Sequence, residues 1–314
     1  MMETKTAFLC PGQGAQYVGM GKDLYENLPQ VKDLYERVDD MLGYSLSKMS
    51  FYGPQKELAK TVHAQPAVLI HSLAVADALR ANGIQPVVVA GHSLGEYAAH
   101  ALAGTCTYDE IVKIIKQRSV LMHQASLKRP GSMVAIIGLS ANAVERMCAE
   151  AEVHGIVTPA NYNCPGQIVV SGERNALQAV MKSAREGGAK KVVKLSVSGA
   201  FHSPLMDDVL TKFRDTLAKT DMREPILTLL SNVTAAPVVK PNEIINTLVK
   251  QLRMPVRWEE TMAAMLEMGI SSFVAVGPGK ILKGLMLRMR GSADVVSIGN
   301  MRDLDAFLNR TSYQ

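Results

Sequence analysis

The sequence predicts an α/β protein: a body built on a parallel sheet, interrupted by a small α+β insert. Three observations carry this reading. Strand-like and helix-like segments alternate over most of the chain, the pattern of a mainly parallel sheet. The run at 86–90 is apolar and β-branched without polar alternation, which suits a strand covered on both faces. Between Lys128 and Ser198 the order becomes β-α-β-β-α-β, the ferredoxin-like supersecondary pattern.

Taken in order, residues 6–10 form an apolar strand that runs into the glycine-rich turn 11–16. Helical spacing follows near 23–27 and over 29–42, where Val31, Leu34, Val38, Met41 and Leu42 share a face. Gln65 and Pro66 open a long helix through Leu79, and Asn82-Gly83 stops it. The strand at 86–90 leads into GHSLGEYAAHALAG, whose second half is helical. Thr107 begins another helix with a capping box, T-Y-D-E, continuing through Arg118.

In the insert, strands are expected at 133–137, 156–160, 167–171 and 190–195, with helices at 141–151 and 173–186. After Ser198 the helices fall at 206–219, 241–252, 256–268 and 280–289, and the strands at 226–230, 273–276 and 295–298. The chain thus divides into a body, residues 1–127 and 199–314, and an insert, residues 128–198.

Composition narrows the class. A chain of 314 residues with 47% hydrophobic and 20% charged residues is an ordinary folded protein, not a disordered or fibrous one. The net charge of +5 is mild and no Lys/Arg block supports a nucleic-acid partner. Cys10, Cys106, Cys148 and Cys164 form no C-x-x-C pair, which suits reduced thiols better than a disulfide framework or a zinc site. The first residues lack a basic stretch followed by an apolar one, and no run approaches the roughly 18–20 apolar residues of a membrane helix. The expectation is a cytoplasmic protein without a membrane segment or a metal.

Chemistry is concentrated in Gly91-His92-Ser93-Leu94-Gly95. A G-x-S-x-G between a buried strand and a helix is a nucleophile elbow, with glycines where a sharp turn leaves no room for side chains. The Leu94 amide then sits at a helix N-terminus, where it can stabilise an oxyanion. A serine nucleophile needs a base, and seven histidines are available. His71 and His100 fall in apolar helices. His92 adjoins the serine on the turn and suits a supporting role. His202 lies in the irregular loop S-G-A-F-H-S-P, where catalytic groups are often carried; on residues alone it stands as either the base or a structural histidine. Arg118 reads first as a solvated helix arginine, and Gln65 as either a site residue or a polar helix start.

Eight segments resemble one family: PGQGAQYVGMG (11–21), AQPAVLIHSLA (64–74), GHSLGEYAA (91–99), Arg118 in QRSVLM, ANYNCPGQIVVSG (160–172), SGAFHSPLM (198–206), PVRW (255–258) and VGPGKIL (276–282). They are similar, in order and over nearly the whole chain, to the malonyl-CoA:acyl carrier protein transacylases and the related acyltransferase domains of polyketide synthases. The resemblance implies an α/β-hydrolase-like body with a ferredoxin-like insert.

It also implies roles. Ser93 would be the nucleophile and His202 its base, with the backbone amides of Gln13 and Leu94 holding the oxyanion. The main chain of Gln251 would orient His202, so no acidic third member is expected; Asp207 and Asp208 read as first-turn helix charges. Arg118 would take the free carboxylate of a malonyl group, Gln65 would line the site, and Phe201 would crowd out an α-methyl group. Substrates would be malonyl-CoA, releasing coenzyme A, and a holo acyl carrier protein, with no organic cofactor or metal. The alternative is a polyketide-pathway acyltransferase or a serine hydrolase using another acyl thioester.

Carrier proteins of this family are acidic, and the insert holds nine Lys and Arg against five Asp and Glu, a net of +4. Lys182, Arg185, Lys190, Lys191 and Lys194 are either a docking patch or a solvated face. Cys10, Cys164 and Ala200 depart from common family residues; none removes a catalytic group, and Cys164 leaves open a reactive thiol near the cleft.

Overall fold

The computed structural model describes residues 5–289 and 293–311, and in it two sheets carry the fold. The strands are β1 (Thr6–Cys10), β2 (Val88–Gly91), β3 (Ser132–Ile137), β4 (Val157–Cys164) and β5 (Gln167–Gly172). They continue with β6 (Lys191–Lys194), β7 (Thr228–Leu229), β8 (Ser272–Val276) and β9 (Asp294–Ile298). The first sheet has the order β7-β2-β1-β8-β9, and every pairing is parallel. Its faces are both covered: along β1, Phe8 and Cys10 join one apolar cluster while Ala7 and Leu9 join another. That is why these strands read as unbroken apolar runs.

The second sheet is antiparallel with the order β4-β5-β3-β6, the ferredoxin-like arrangement the sequence predicts. Alternation along its strands separates two faces. Val134, Ile136, Ile168 and Val170 pack under the helices Ala141–Ala151 and Arg174–Glu186. Met133, Ala135 and Val169 point the other way and join the cluster of the body. β4 is fastened to the segment before the helix Trp258–Glu267 at Val256, whose N–H donates to Ala160 (2.8 Å) and whose carbonyl accepts from Tyr162 (2.9 Å).

Differences from the sequence reading have physical reasons. The long helix spans Thr61–Ala81 and carries Pro66 inside it. Residues 64–76 of that helix are buried throughout, and this packing outweighs the roughly 3 kcal/mol that an interior proline costs. By length and composition alone it is also the one helix among the described residues apolar enough to cross a membrane, but 83% of its apolar window is buried inside the protein, as in a core helix. The helix begun at Thr107 has its capping box and runs to Lys128, leaving Arg118 in its middle. The first strand of the insert's β4–β5 hairpin continues to Cys164, past the expected end at 160. Residues 204–209 are a 3-10 turn before the helix Leu210–Ala218, and Val256 precedes the helix Trp258–Glu267 instead of opening it. The short helices Leu46–Tyr52 and Gln55–Leu58 and the final helix Met301–Thr311 have no counterpart in the sequence reading.

Candidate active site

The elbow is built at the carboxyl end of β2. A Cβ on Gly91 would stand 1.9 Å from the Gly95 carbonyl carbon, and one on Gly95 would stand 2.0 Å from the Cys10 carbonyl oxygen. Only glycine fits either position. Ser93 between them adopts φ 51°, ψ −107°. Among the described residues, Ser93, His202 and Ala235 are the non-glycine residues with positive φ, a conformation that costs on the order of 1–3 kcal/mol. Asn232 clamps the turn: its Oδ1 accepts from the Ser93 N–H at 2.7 Å and its Nδ2 donates to the Gly91 carbonyl at 2.6 Å.

His202 arrives from the other half of the body, with its N–H bonded to the Leu252 carbonyl. Its Nδ1 lies 2.6 Å from the Gln251 main-chain oxygen, and its Nε2 lies 2.7 Å from Ser93 Oγ. A carbonyl can only accept, so Nδ1 carries the proton and Nε2 is free to accept from the serine hydroxyl. Burial, reinforced by the nearby Arg118 cation, pushes His202 down to about 3. The ring is therefore neutral at pH 7 and able to take a proton.

Arg118 is 1% exposed. Nη1 donates to Gln65 Oε1 at 2.7 Å, Nη2 donates to Gln251 Oε1 at 2.9 Å, and Nη2 also lies 3.3 Å from Ser93 Oγ. The guanidinium carbon sits 4.8 Å from the Tyr97 ring centroid. None of these partners is a carboxylate, and Arg118 forms no ion pair among the described residues. A buried, unpaired guanidinium is costly and presents the forked geometry that receives a carboxylate through two hydrogen bonds. Burial lowers its pKa. The Gln251 side chain is the hub: Nε2 donates to the Ser93 carbonyl at 2.8 Å and to Glu96 Oε2 at 2.5 Å.

Ser93, His202, Gln65 and Phe201 line one cavity of about 620 Å³, walled on one side by β3, β4 and β5 of the antiparallel sheet and on the other by the turns that follow β1 and β2. Gln13 lines it too, its side chain held by Thr61 Oγ1 at 3.2 Å. The Gln13 and Leu94 N–H groups have no hydrogen-bond partner among the described residues, whereas the next two amides, Gly95 and Glu96, are taken by the His92 and Ser93 carbonyls. His92 lines the same cavity but does not hydrogen-bond the serine hydroxyl: its Nε2 donates to Asn163 Oδ1 at 2.8 Å and its ring meets Trp258 edge-on. Among the described residues, no group of three or more His, Cys, Asp and Glu is placed to hold a metal.

Other residues singled out in the sequence lie elsewhere. Asp207 pairs with Arg253 (2.7 Å) and Asp208 with Lys128 (2.6 Å), so neither reaches His202. Cys164 is buried and desolvation raises its pKa, the opposite of a reactive thiolate. Lys182, Arg185, Lys190 and Lys191 are exposed on the insert and do not line the cavity. Glu96, Asn161, Asn163, Asn232 and the Gln251 side chain went unassigned in the sequence. The alternation N-Y-N at 161–163 is a usable signal, because a period of two sets both amides on one face of β4. Nothing local marks Asn232.

Residues 7–314 match the family described as acyl transferase domain. The malonyl CoA-acyl carrier protein transacylase of Bacillus subtilis is 37% identical over 303 residues, covering 96% of each chain. That of Haemophilus influenzae is 37% identical over 304 residues, covering 96% of this chain and 97% of the other. Among solved structures, an acyl carrier protein S-malonyltransferase from Vibrio cholerae superposes with a TM-score of 0.93 at 36% identity, covering 97% of this chain and all of that one. A malonyl-transacylase in complex with its type II polyketide acyl carrier protein gives 0.95 at 33% identity, covering 98% and 100%. The chain belongs to the acyl transferase domain family.

Proposed function

We propose that this acyltransferase moves a malonyl group from malonyl-CoA to the phosphopantetheine thiol of an acyl carrier protein, through a malonyl ester on Ser93. The observation that carries the proposal is the buried Arg118 guanidinium, surrounded by neutral partners, 3.3 Å from Ser93 Oγ. The names of the full-length relatives support the same substrates.

In the first half-reaction Ser93 Oγ attacks the thioester carbonyl while its proton passes to His202 Nε2. The Gln13 and Leu94 amides, both without other partners, hold the oxyanion. The C–S bond breaks, and the coenzyme A thiolate leaves with the proton from His202. In the second half the carrier thiol gives its proton to His202 and attacks the ester carbonyl, and Ser93 recovers its hydrogen. The Gln251 carbonyl stabilises the transient imidazolium without itself being charged. Phe201, 5% exposed beside the catalytic pair, crowds an α-methyl substituent and favours malonyl over methylmalonyl.

In this proposal residues 128–198 form the insert that closes one wall of the cleft, and residues 1–127 and 199–314 the catalytic body. The acidic carrier docks against the insert near Lys182, Arg185, Lys190 and Lys191. Supporting this, Arg174 and Lys194 border a groove of about 610 Å³ that shares Val197 with the active-site cavity. The enzyme works in the cytoplasm, consistent with four buried free thiols.

The test is acyl transfer from malonyl-, methylmalonyl- and acetyl-CoA, with and without holo carrier protein, read by intact-protein mass spectrometry. A malonyl adduct that forms without carrier, is discharged by carrier and is absent from Ser93→Ala is expected. Fast release of free malonate in the absence of carrier would instead identify a hydrolase. A polyketide-pathway carrier as acceptor is the second reading, favoured by the likeness to the complex with a type II polyketide carrier; comparing carriers of both pathways as acceptors separates the two.

A further inference from the structure

Glu96 lies in the first turn of the helix Leu94–Leu102, fully buried, and the mechanism above makes no use of it. Its Oε2 accepts from Gln251 Nε2 at 2.5 Å, while Oε1 meets no donor at full hydrogen-bond geometry, the Asn232 N–H and the Ser231 hydroxyl being close enough to favour the charged carboxylate. Gln251 is equally buried, and its amide has two distinct ends. The donor end serves the Ser93 carbonyl and Glu96; the acceptor end takes Arg118 Nη2. Turning that amide over would set NH₂ against guanidinium N–H, and its oxygen against two acceptors. The carboxylate and the Ser93 carbonyl together forbid the turn. Remove Glu96 and only neutral acceptors oppose it, the Ser93 carbonyl at 2.8 Å and the more distant Asn232 Oδ1 at 3.5 Å.

We propose that Glu96 is a positioning residue: it locks the Gln251 amide, and through it the Arg118 guanidinium, in the orientation that receives the malonyl carboxylate. The inference rests on the malonyl-transfer reading of the site. It makes a selective claim. His202 is oriented by the main-chain carbonyl of Gln251, which does not move when the side-chain amide turns. Acyl groups without a carboxylate should therefore be affected far less than malonyl.

The experiment compares the wild-type enzyme with Glu96→Ala, Glu96→Asp and Glu96→Gln at pH 8, where the carboxyl, pushed up to about 7 by burial, is mostly ionised. Rates of Ser93 acylation by malonyl-CoA and acetyl-CoA are measured. Glu96→Ala should lose malonyl preference over acetyl by about tenfold or more, the scale of one charge-assisted hydrogen bond, chiefly through KM for malonyl-CoA. Glu96→Asp withdraws the acceptor by one methylene and should follow Ala; it decides the matter if Ala does not fold. Glu96→Gln keeps an acceptor oxygen and should stay within about threefold of wild type. Parallel loss for both acyl groups, an unchanged preference in Ala and Asp, or a Gln variant as impaired as Ala would overturn the proposal. Failure of the wild-type enzyme to form a malonyl-Ser93 ester would instead sink the functional reading itself.

Discussion

Replacing Arg118 by methionine removes the charge while keeping most of the buried volume. The guanidinium has five N–H donors, and three are spoken for: one by Gln65, one by Gln251 and one directed weakly at Ser93 Oγ. The second hydrogen on Nη1, the one aimed at the serine and the unpartnered Nε–H remain, and in the proposed complex two of these take the malonyl carboxylate while both glutamines stay in place. Two charge-assisted hydrogen bonds at about 1.5–3 kcal/mol each set an upper range of about 3–6 kcal/mol. Part is offset by stripping water from the malonyl carboxylate, so about 3–4 kcal/mol survives. That is roughly 10²–10³ in kcat/KM for malonyl-CoA, at about 1.4 kcal/mol per decade. Acetyl-CoA has no group to lose these bonds, so its kcat/KM should change little, and selectivity should move by nearly the full factor. Stopped-quench acylation with both thioesters reads the ratio. Parallel losses for malonyl and acetyl would show that Arg118 only supports the fold or the Ser93–His202 pair, and the substrate argument would fail.

Gly95→Ala forces a Cβ to within 2.0 Å of the Cys10 carbonyl oxygen; a destabilisation above about 3 kcal/mol in urea unfolding is expected, and a normal midpoint would refute the elbow packing. Charge reversal at Lys182 and Arg185 together should raise KM for carrier protein and leave KM for malonyl-CoA alone; a shift in both would reject docking at the insert. His71 is pushed down to about 4, and His100 and His202 each to about 3, all mainly by burial. Folded values below the unfolded value of about 6.5 mean that their contribution is present above pH 6.5 and lost as pH falls, about 2 kcal/mol each at pH 5. Glu96, pushed up to about 7, acts in the opposite sense and returns about 2–3 kcal/mol over the same interval. These four groups together should lower stability by roughly 3–4 kcal/mol between pH 7 and 5, with His92, also lowered by burial, adding to the loss and Asp77, raised by burial, opposing it; a flat denaturation midpoint over that range would contradict the reasoning.

The parts legible in the sequence are those set by local backbone physics. The elbow glycines announce themselves because their Cβ clashes involve residues within five positions or at the end of the neighbouring strand. The capping box at Thr107 and the β-α-β-β-α-β order of the insert are local for the same reason. Arg118 is the counter-example. Its helical neighbourhood reads as solvated surface, yet the residue is buried because the helices Thr61–Ala81 and Pro241–Gln251 bring Gln65 and Gln251 to it from 53 and 133 positions away. Asn232 and Glu96 escaped notice likewise, since their partners are 139 and 155 positions distant. The deeper reason is electrostatic. A charge reads as a surface residue until its neighbours are known, because burial without a counter-ion is unfavourable and therefore rare. Here the guanidinium makes no ion pair among the described residues and reaches the buried Glu96 carboxylate only through the Gln251 amide; in the proposed reaction, an acyl group that brings its own carboxylate is the one that relieves the penalty.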